Sequence, residues 1–316
     1  MITSRIDAVT LISEARRKAV APAPKSVKIE ISPRCNYRCG FCALRTREVQ
    51  PKWDMDFGLF QRVTQEMRDA GVEEIGVFYL GESFMNPRLL VDCIAHCKRI
   101  GFPYVFLTSN ASMAFPEAVE ACMAAGLDSL KWSVNAADDA QFAKVMGVSP
   151  RLFHRALENI EEAFEVREAG GYQTGLYASS IRYDGEQQQK METLLKERVI
   201  PYVDEHYWLP LYGQMTHWTE ERSRELGYYP TAGNQGRIGA LRDPLPCWSV
   251  MTEGHVTATG ILTACCFDSD GRFAMGNLTK QSFMEAWNSP PFIQLREAHL
   301  KKNVKGTICE GCLAYA

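Results

Sequence analysis

Cys35, Cys39 and Cys42 stand close together in the run Ser32-Pro33-Arg34-Cys35-Asn36-Tyr37-Arg38-Cys39-Gly40-Phe41-Cys42. Thiolates in such a cluster select soft metal centres. Three of them do not complete a tetrahedral zinc site without a fourth partner. They suit three corners of a 4Fe–4S cube, with one iron left open to a further ligand. A second set lies far downstream: Cys247, Cys265, and the CxxC pair Cys309 and Cys312. Four ligands fill a cluster completely, which suits electron transfer or a structural role. Zinc is the competing reading of this second set, because CxxC pairs also serve zinc. Cys266 competes with Cys265, since neighbours on a strand face opposite sides. Cys93, Cys97 and Cys122 fall on predicted helices and read as small buried apolar residues. The six histidines show no metal spacing.

The elements around the first set alternate in type. Val27 to Ser32 reads as a strand with strict apolar/polar alternation, and the cysteine loop follows it directly. Further strands are predicted over 74–80, 104–108, 129–134, 174–183 and 202–211. Helices are predicted over 57–70, 88–100, 116–125, 151–168 and 187–197, several of them closed by glycine. Strands alternating with helices imply parallel βαβ units, and barrels built from them carry chemistry at the C-terminal strand ends. Those ends are polar here: Gly81-Glu82-Ser83 after the second strand, Thr108-Ser109-Asn110 on the third, Ser133-Val134-Asn135 on the fourth. Short polar side chains there can hydrogen-bond a ribose or an amino-acid carboxylate. The fifth strand offers Ser179 and Ser180, and the sixth His206, Tyr207 and Trp208, to which no catalytic role is given.

From Pro246 onward the pattern changes. Val250–Ala258 and Ile261–Phe267 read as a hairpin, Asp268-Ser269-Asp270-Gly271 as a turn, and Lys280–Leu300 as a helix broken at Pro290 and Pro291. The chain therefore divides into an N-terminal extension (1–25), an α/β barrel (26–211), a linker that covers substrate (212–246) and a small C-terminal module (247–316) of β-hairpin plus helix.

The CxxxCxxC spacing after a first strand, with aromatic Phe41 before the last cysteine, resembles the signature of the radical S-adenosylmethionine (radical SAM) superfamily. The resemblance implies a partial (β/α)6 TIM-like barrel. It also implies a 4Fe–4S cluster on Cys35, Cys39 and Cys42, whose open iron is chelated by the methionine part of S-adenosylmethionine. Reductive cleavage then yields a 5′-deoxyadenosyl radical that abstracts hydrogen. Tyr79-Leu80-Gly81-Glu82-Ser83 resembles the family's Gly-Gly-Glu-Pro motif, with Leu80 and Ser83 as departures, and Ser133 resembles its strand-four serine. Phe41, Gly81, Glu82, Ser109, Asn110, Ser133 and Asn135 are thereby implied to bind the cofactor. The stretch Cys247…Gly260…Cys265 followed by a CxxC resembles the auxiliary-cluster domains called twitch and SPASM. So do Cys265-Cys266-Phe267-Asp268, Gly276-Asn277-Leu278 and Ala286-Trp287-Asn288. A second 4Fe–4S cluster follows from that resemblance.

Composition narrows the partners. The chain has 316 residues, 46% hydrophobic and 23% charged, with a net charge of −3. That balance reads as globular, with no global basic field for nucleic acid. No apolar run reaches the length of a membrane span and no signal peptide is evident, so a cytoplasmic protein without membrane partner is expected. Eleven cysteines then argue for metal ligation over disulfides. The expected function is radical oxidation or rearrangement of a small polar molecule, with flavodoxin or ferredoxin as reductant. The alternatives are modification of a ribosomally made peptide or of a nucleoside or nucleic-acid base. A rival of another class, an iron–sulfur electron carrier, would have no use for an adenosyl pocket.

Overall fold

The computed structural model describes residues 1–42, 44, 51–210, 236–267, 273–310 and 312. Six parallel strands form its frame: β1 (Ser26–Ile29), β2 (Glu74–Gly76), β3 (Tyr104–Ser109), β4 (Ser129–Ser133), β5 (Gly175–Ile181) and β6 (Glu205–Leu209). Each pairs with the next in sequence order. The crossovers are helical: α2 (Phe57–Asp69), α3 (Pro87–Arg99), α4 (Pro116–Ala124), α5 (Asp139–Met146) with α6 (Arg151–Gly170), and α7 (Gly185–Arg198). Alternation decides what faces what. Val27, Ile29 and Ile31, like Leu130 and Trp132, are fully buried toward the helices. Lys28, Phe106, Lys131 and Tyr207 turn the other way and line a lumen.

The helix boundaries follow local chemistry. Asp56 caps α2 by accepting from Leu59 N, and Asn86 caps α3 ahead of Pro87. Helix α1 (Ile2–Thr10) lies across the lumen where the strands begin: Arg5 pairs with Glu74 at 2.5 Å and stacks over Tyr104, and Thr3 bonds Glu205.

The C-terminal segment does not stand apart from this sheet. Strand β9 (Glu253–Val256) pairs in parallel with β1 across four residues, and β10 (Ile261–Thr263) and β11 (Ala274–Asn277) continue antiparallel from it. The result is one nine-stranded sheet, order β11-β10-β9-β1-β2-β3-β4-β5-β6. This is a partial TIM-like barrel extended by an antiparallel hairpin. A small two-stranded ribbon, β7 (Gly236–Arg237) with β8 (Ala240–Leu241), stands outside it.

Several sequence expectations change in detail. The second strand stops at Gly76 rather than Leu80, because the chain turns so that Ser83 Oγ bonds back to Val77 O and Gly81 seats on the first loop. The sixth starts at Glu205, since Ile200–Tyr202 forms a 3-10 turn. Ser249–Thr252, expected as strand from Val250, is instead a helical turn, α8, in which Met251 and Thr252 donate to Trp248 O. Helix α5 has no counterpart in the sequence reading. The C-terminal helix does break at the prolines, into α9 (Phe283–Trp287) and α10 (Pro290–Leu300). Most of the 212–246 linker and the turn expected at 268–271 lie outside the described residues. Among the described residues no helix is long and apolar enough to cross a membrane.

Candidate active site and the second cysteine set

The strand ends carry the first site. Cys35, Cys39 and Cys42 line a cavity of about 310 Å³ together with Phe41, Gly81, Glu82, Ser109, Asn110, Ser133 and Asn135. Every cofactor residue implied by the sequence therefore lies on one wall system. The apolar part of the lining was not foreseen and comes from Phe142 and Met146 on α5 and from Phe153, Leu157 and Ile160 on α6. Helix α5 also holds the cysteine loop: Arg38 N donates to Met146 O, Gly40 N to Val145 O, and Cys39 Sγ lies 3.4 Å from Met146 Sδ. Asp138 at its N-cap and left-handed Gly147 at its end were the signals that could have revealed it.

Two loops interlock to shape this cavity. Glu82 N donates to Arg34 O, and a Cβ at Gly81 would run into the Ser32 carbonyl oxygen and stand 2.8 Å from that of Arg34. Only glycine fits this contact. The buried Glu82 carboxylate accepts from Phe84 N at 3.1 Å, Ser109 Oγ at 3.0 Å and Asn110 N at 2.8 Å. Its oxygens thus tie the end of β2 to the end of β3. Burial raises its pKa while those three donors pull it down. Asn110 in turn bridges Asn36 Oδ1 at 3.0 Å and approaches Cys35 Sγ at 3.9 Å. Ala111, with φ at +68°, holds a left-handed turn that Asn159 anchors through Ala111 O. Asn135 accepts from Ile181 N at 3.1 Å and ties β4 to β5.

The three thiols feel one another. Burial raises Cys35 to about 12, with the Glu82 charge adding to it, and Cys39 is raised by burial and by Cys42 and Cys35. Bare, they stay protonated. Neighbouring thiols held neutral in a partly apolar cavity are suited to iron, which displaces the protons on binding. The donor set fits a cluster, and the cavity beside it has polar walls for a cofactor that closes the fourth corner.

The second set converges as well. Cys265 is raised first by burial, then by the charges of Cys266, Cys309 and Cys247; Cys309 is raised by burial, Cys247 and Cys312. Cys265 and Cys312 share a small cluster with Phe267 and Phe273. Four thiols from three distant segments thus lie within electrostatic reach of one another, a donor set of the type an iron–sulfur group takes. Fully buried His299 on α10 was missed by the sequence. Its Nδ1 accepts from Cys247 N at 3.2 Å and its Nε2 lies 3.3 Å from Cys309 Sγ. With Nδ1 as acceptor, Nε2 carries the proton and donates to the sulfur. Burial lowers this imidazole to about 4, which keeps it neutral. Cys93 and Cys97 on α3 and Cys122 on α4 are fully buried in the apolar core.

Known proteins agree with this geometry. The radical SAM superfamily profile matches residues 29–174, and the profile of SPASM, an iron–sulfur cluster-binding domain, matches residues 247–313. The PqqA peptide cyclase of Xanthomonas axonopodis pv. citri is 25% identical over 314 residues, covering 93% of this chain and 81% of that protein. An AdoMet-dependent heme synthase of Methanosarcina barkeri is 23% identical, covering 94% of this chain and 93% of its own. In fold, the chain is similar to Streptococcus suis SuiB bound to S-adenosylmethionine, with a TM-score of 0.68 at 16% identity over 95% of this chain and 73% of SuiB. A 4Fe–4S cluster and S-adenosylmethionine go with the first profile and auxiliary iron–sulfur with the second. With both profiles matched, one on the partial barrel and one on the C-terminal module, the chain belongs to the radical SAM superfamily and is an enzyme with a SPASM-type iron–sulfur domain.

Proposed function

We propose that this enzyme modifies a ribosomally made peptide by radical chemistry. The sequence put a small polar molecule first and a peptide second. The observation that reverses the order is the similarity to a PqqA peptide cyclase across 93% of the chain, barrel and C-terminal module together. When bound, the cluster and S-adenosylmethionine supply one-electron cleavage of the sulfonium and a radical able to abstract hydrogen from carbon.

The chain's own residues do the rest. Cys35, Cys39 and Cys42 hold the first cluster at the cavity mouth. Gly81 admits the loop contact that brings its backbone beside the cysteines, and Glu82 locks that loop to β3. Asn110, Ser133 and Asn135 present polar groups to the amino acid and ribose of the cofactor. Phe142, Phe153 and Ile160 form an apolar wall that would exclude water from the bound cofactor. Cys247, Cys265, Cys309 and Cys312 hold the second cluster. Cys265 rather than Cys266 is the ligand, because Cys266 lines the lumen beside Lys28. Flavodoxin or ferredoxin supplies the electron.

The test is isotope transfer. The holoenzyme, reduced with dithionite, is given S-adenosylmethionine and either a perdeuterated pool of randomised synthetic peptides or a perdeuterated pool of sugars and aminocyclitols. Deuterium is expected in 5′-deoxyadenosine from the peptide pool. Transfer from the small-molecule pool alone would overturn the peptide reading.

A further inference from the structure

The barrel lumen holds a second cavity, of about 250 Å³. It shares Phe78 and Thr108 with the cofactor cavity, so the two adjoin at the ends of β2 and β3. At its side it reaches Cys266 and Phe267, beside the second cysteine set. At the other end Ile2, Ile6 and Val9 of α1 close it. A molecule in this space lies between the two cluster sites.

The charges in the lumen do not balance. Arg5 is paired with Glu74 at 2.5 Å and Lys28 with Glu253 at 2.8 Å. Lys131 on β4, the direct partner of Thr108 on β3, lines the same cavity. Among the described residues no carboxylate lies within ion-pair distance of it; its ammonium stands 5.8 Å from the centre of the Tyr207 ring. A half-buried ammonium in an apolar lumen without a counter-charge is costly and is retained where a ligand brings that charge. Burial, together with like-charged Lys28, lowers it to about 7, the opposite of what a counter-ion would do.

We propose that Lys131 receives a carboxylate of the substrate, the acidic side chain of a peptide, and so holds a neighbouring carbon at the Phe78–Thr108 junction with the cofactor cavity. One uncompensated ammonium in a mostly apolar lining matches the single charge of a carboxylate better than the double charge of a phosphate. The cavity takes one acidic side chain with its adjoining backbone and leaves the rest of a peptide outside. Tyr207 lends an aromatic face to one side of the ammonium and leaves the other for the carboxylate. The peptide part of this inference rests on the function proposed above; the carboxylate part rests on Lys131.

The experiment separates the two. Binding to the S-adenosylmethionine-loaded holoenzyme is measured calorimetrically under nitrogen. The probes are glutarate, glutaramide, inorganic phosphate, and the acetylated, amidated tripeptides Ala-Glu-Ala and Ala-Gln-Ala. The wild type is expected to prefer each carboxylate over its amide by about tenfold or more, as for a charge-assisted bond. Lys131→Met, which keeps the stem, should abolish that preference, and Lys131→Arg should keep it. Glutarate binding without tripeptide binding would uphold the carboxylate receptor and overturn the peptide reading. Equal affinity for acid and amide, a preference for phosphate, no binding of glutarate, or a preference that survives Lys131→Met would each overturn the role of Lys131. If Lys131→Met does not fold, the acid-against-amide comparison in the wild type and in Lys131→Arg still decides it.

Discussion

The two cysteine sets use the same ligand in opposite ways. The first takes three thiols from one short loop and sets them at a cavity lined by the ends of several strands. The second takes four from three segments as far apart as Cys247 and Cys312. Around the first set the fold is complete without the thiols: Gly81 and Glu82 lock the loops together by backbone contacts and a buried carboxylate. Around the second, His299 on α10 joins the Cys247 backbone to Cys309, while Arg296, Phe292 and Leu295 dock the helix itself. A cluster in the first site serves chemistry at an open cavity; in the second it also ties chain segments together, so its binding energy is folding energy.

The largest expected difference comes from removing ligands. Replacing Cys35, Cys39 and Cys42 together by Ala should leave a folded protein that forms no 5′-deoxyadenosine under dithionite, followed by chromatography. Persistent cleavage would end the contrast at once. Cys309→Ala and Cys312→Ala should act otherwise. Anaerobically reconstituted wild type should hold roughly eight irons per chain, and these variants roughly four. They should be less soluble, yet cleave S-adenosylmethionine in whatever stays folded. Soluble variants with normal iron would contradict the ligand set, and soluble variants without any cleavage would contradict the division of labour.

Gly81→Ala sharpens the comparison without touching a thiol. The added methyl meets backbone oxygens of Ser32 and Arg34, which no rotamer change can move. A cost of about 1–3 kcal/mol is expected, as for other overpacked sites. It should appear as a lower melting temperature together with weaker S-adenosylmethionine binding. A variant of unchanged stability and affinity would show that the two loops are not locked.

What the sequence disclosed and what it hid divide along the same line. The strands β1 and β4 were legible because Val27, Ile29 and Ile31, or Leu130 and Trp132, alternate with polar residues on a period of two. The cavity residues were legible because the barrel places every strand end at one face. The partner of β9 was not: alternation marks a strand but carries no record of which strand it meets, and β1 lies more than two hundred residues away. Helix α8 was read as strand because Val250 and Met251 are apolar and the turn that caps Trp248 is only four residues long. His299 has no sequence signature, since its two partners, Cys247 and Cys309, meet it only after α10 docks. Lys131 was visible as the polar member of an apolar alternation, but its missing counter-charge depends on where five other strands put their acids.

The smallest expected effect tests whether that hidden histidine belongs to the second site. Its ring accepts from Cys247 N and donates to Cys309 Sγ, so it steadies one ligand through the backbone and another through the sulfur. A donor to a ligating sulfur stabilises the reduced cluster, whose sulfurs carry more negative charge. His299→Phe fills the volume but removes both bonds. It should cost about 1–2 kcal/mol of stability, as for two modest net hydrogen bonds. It should also make the potential of the second cluster more negative by something on the order of 50 mV, close to the 59 mV that accompanies a tenfold change in a one-electron couple. The first cluster, expected beyond the opposite end of β1, should keep its potential. A redox titration followed by electron paramagnetic resonance reads both at once. Equal shifts in the two signals would mean that His299 acts on the whole fold, whereas a shift in the second alone ties it to Cys309.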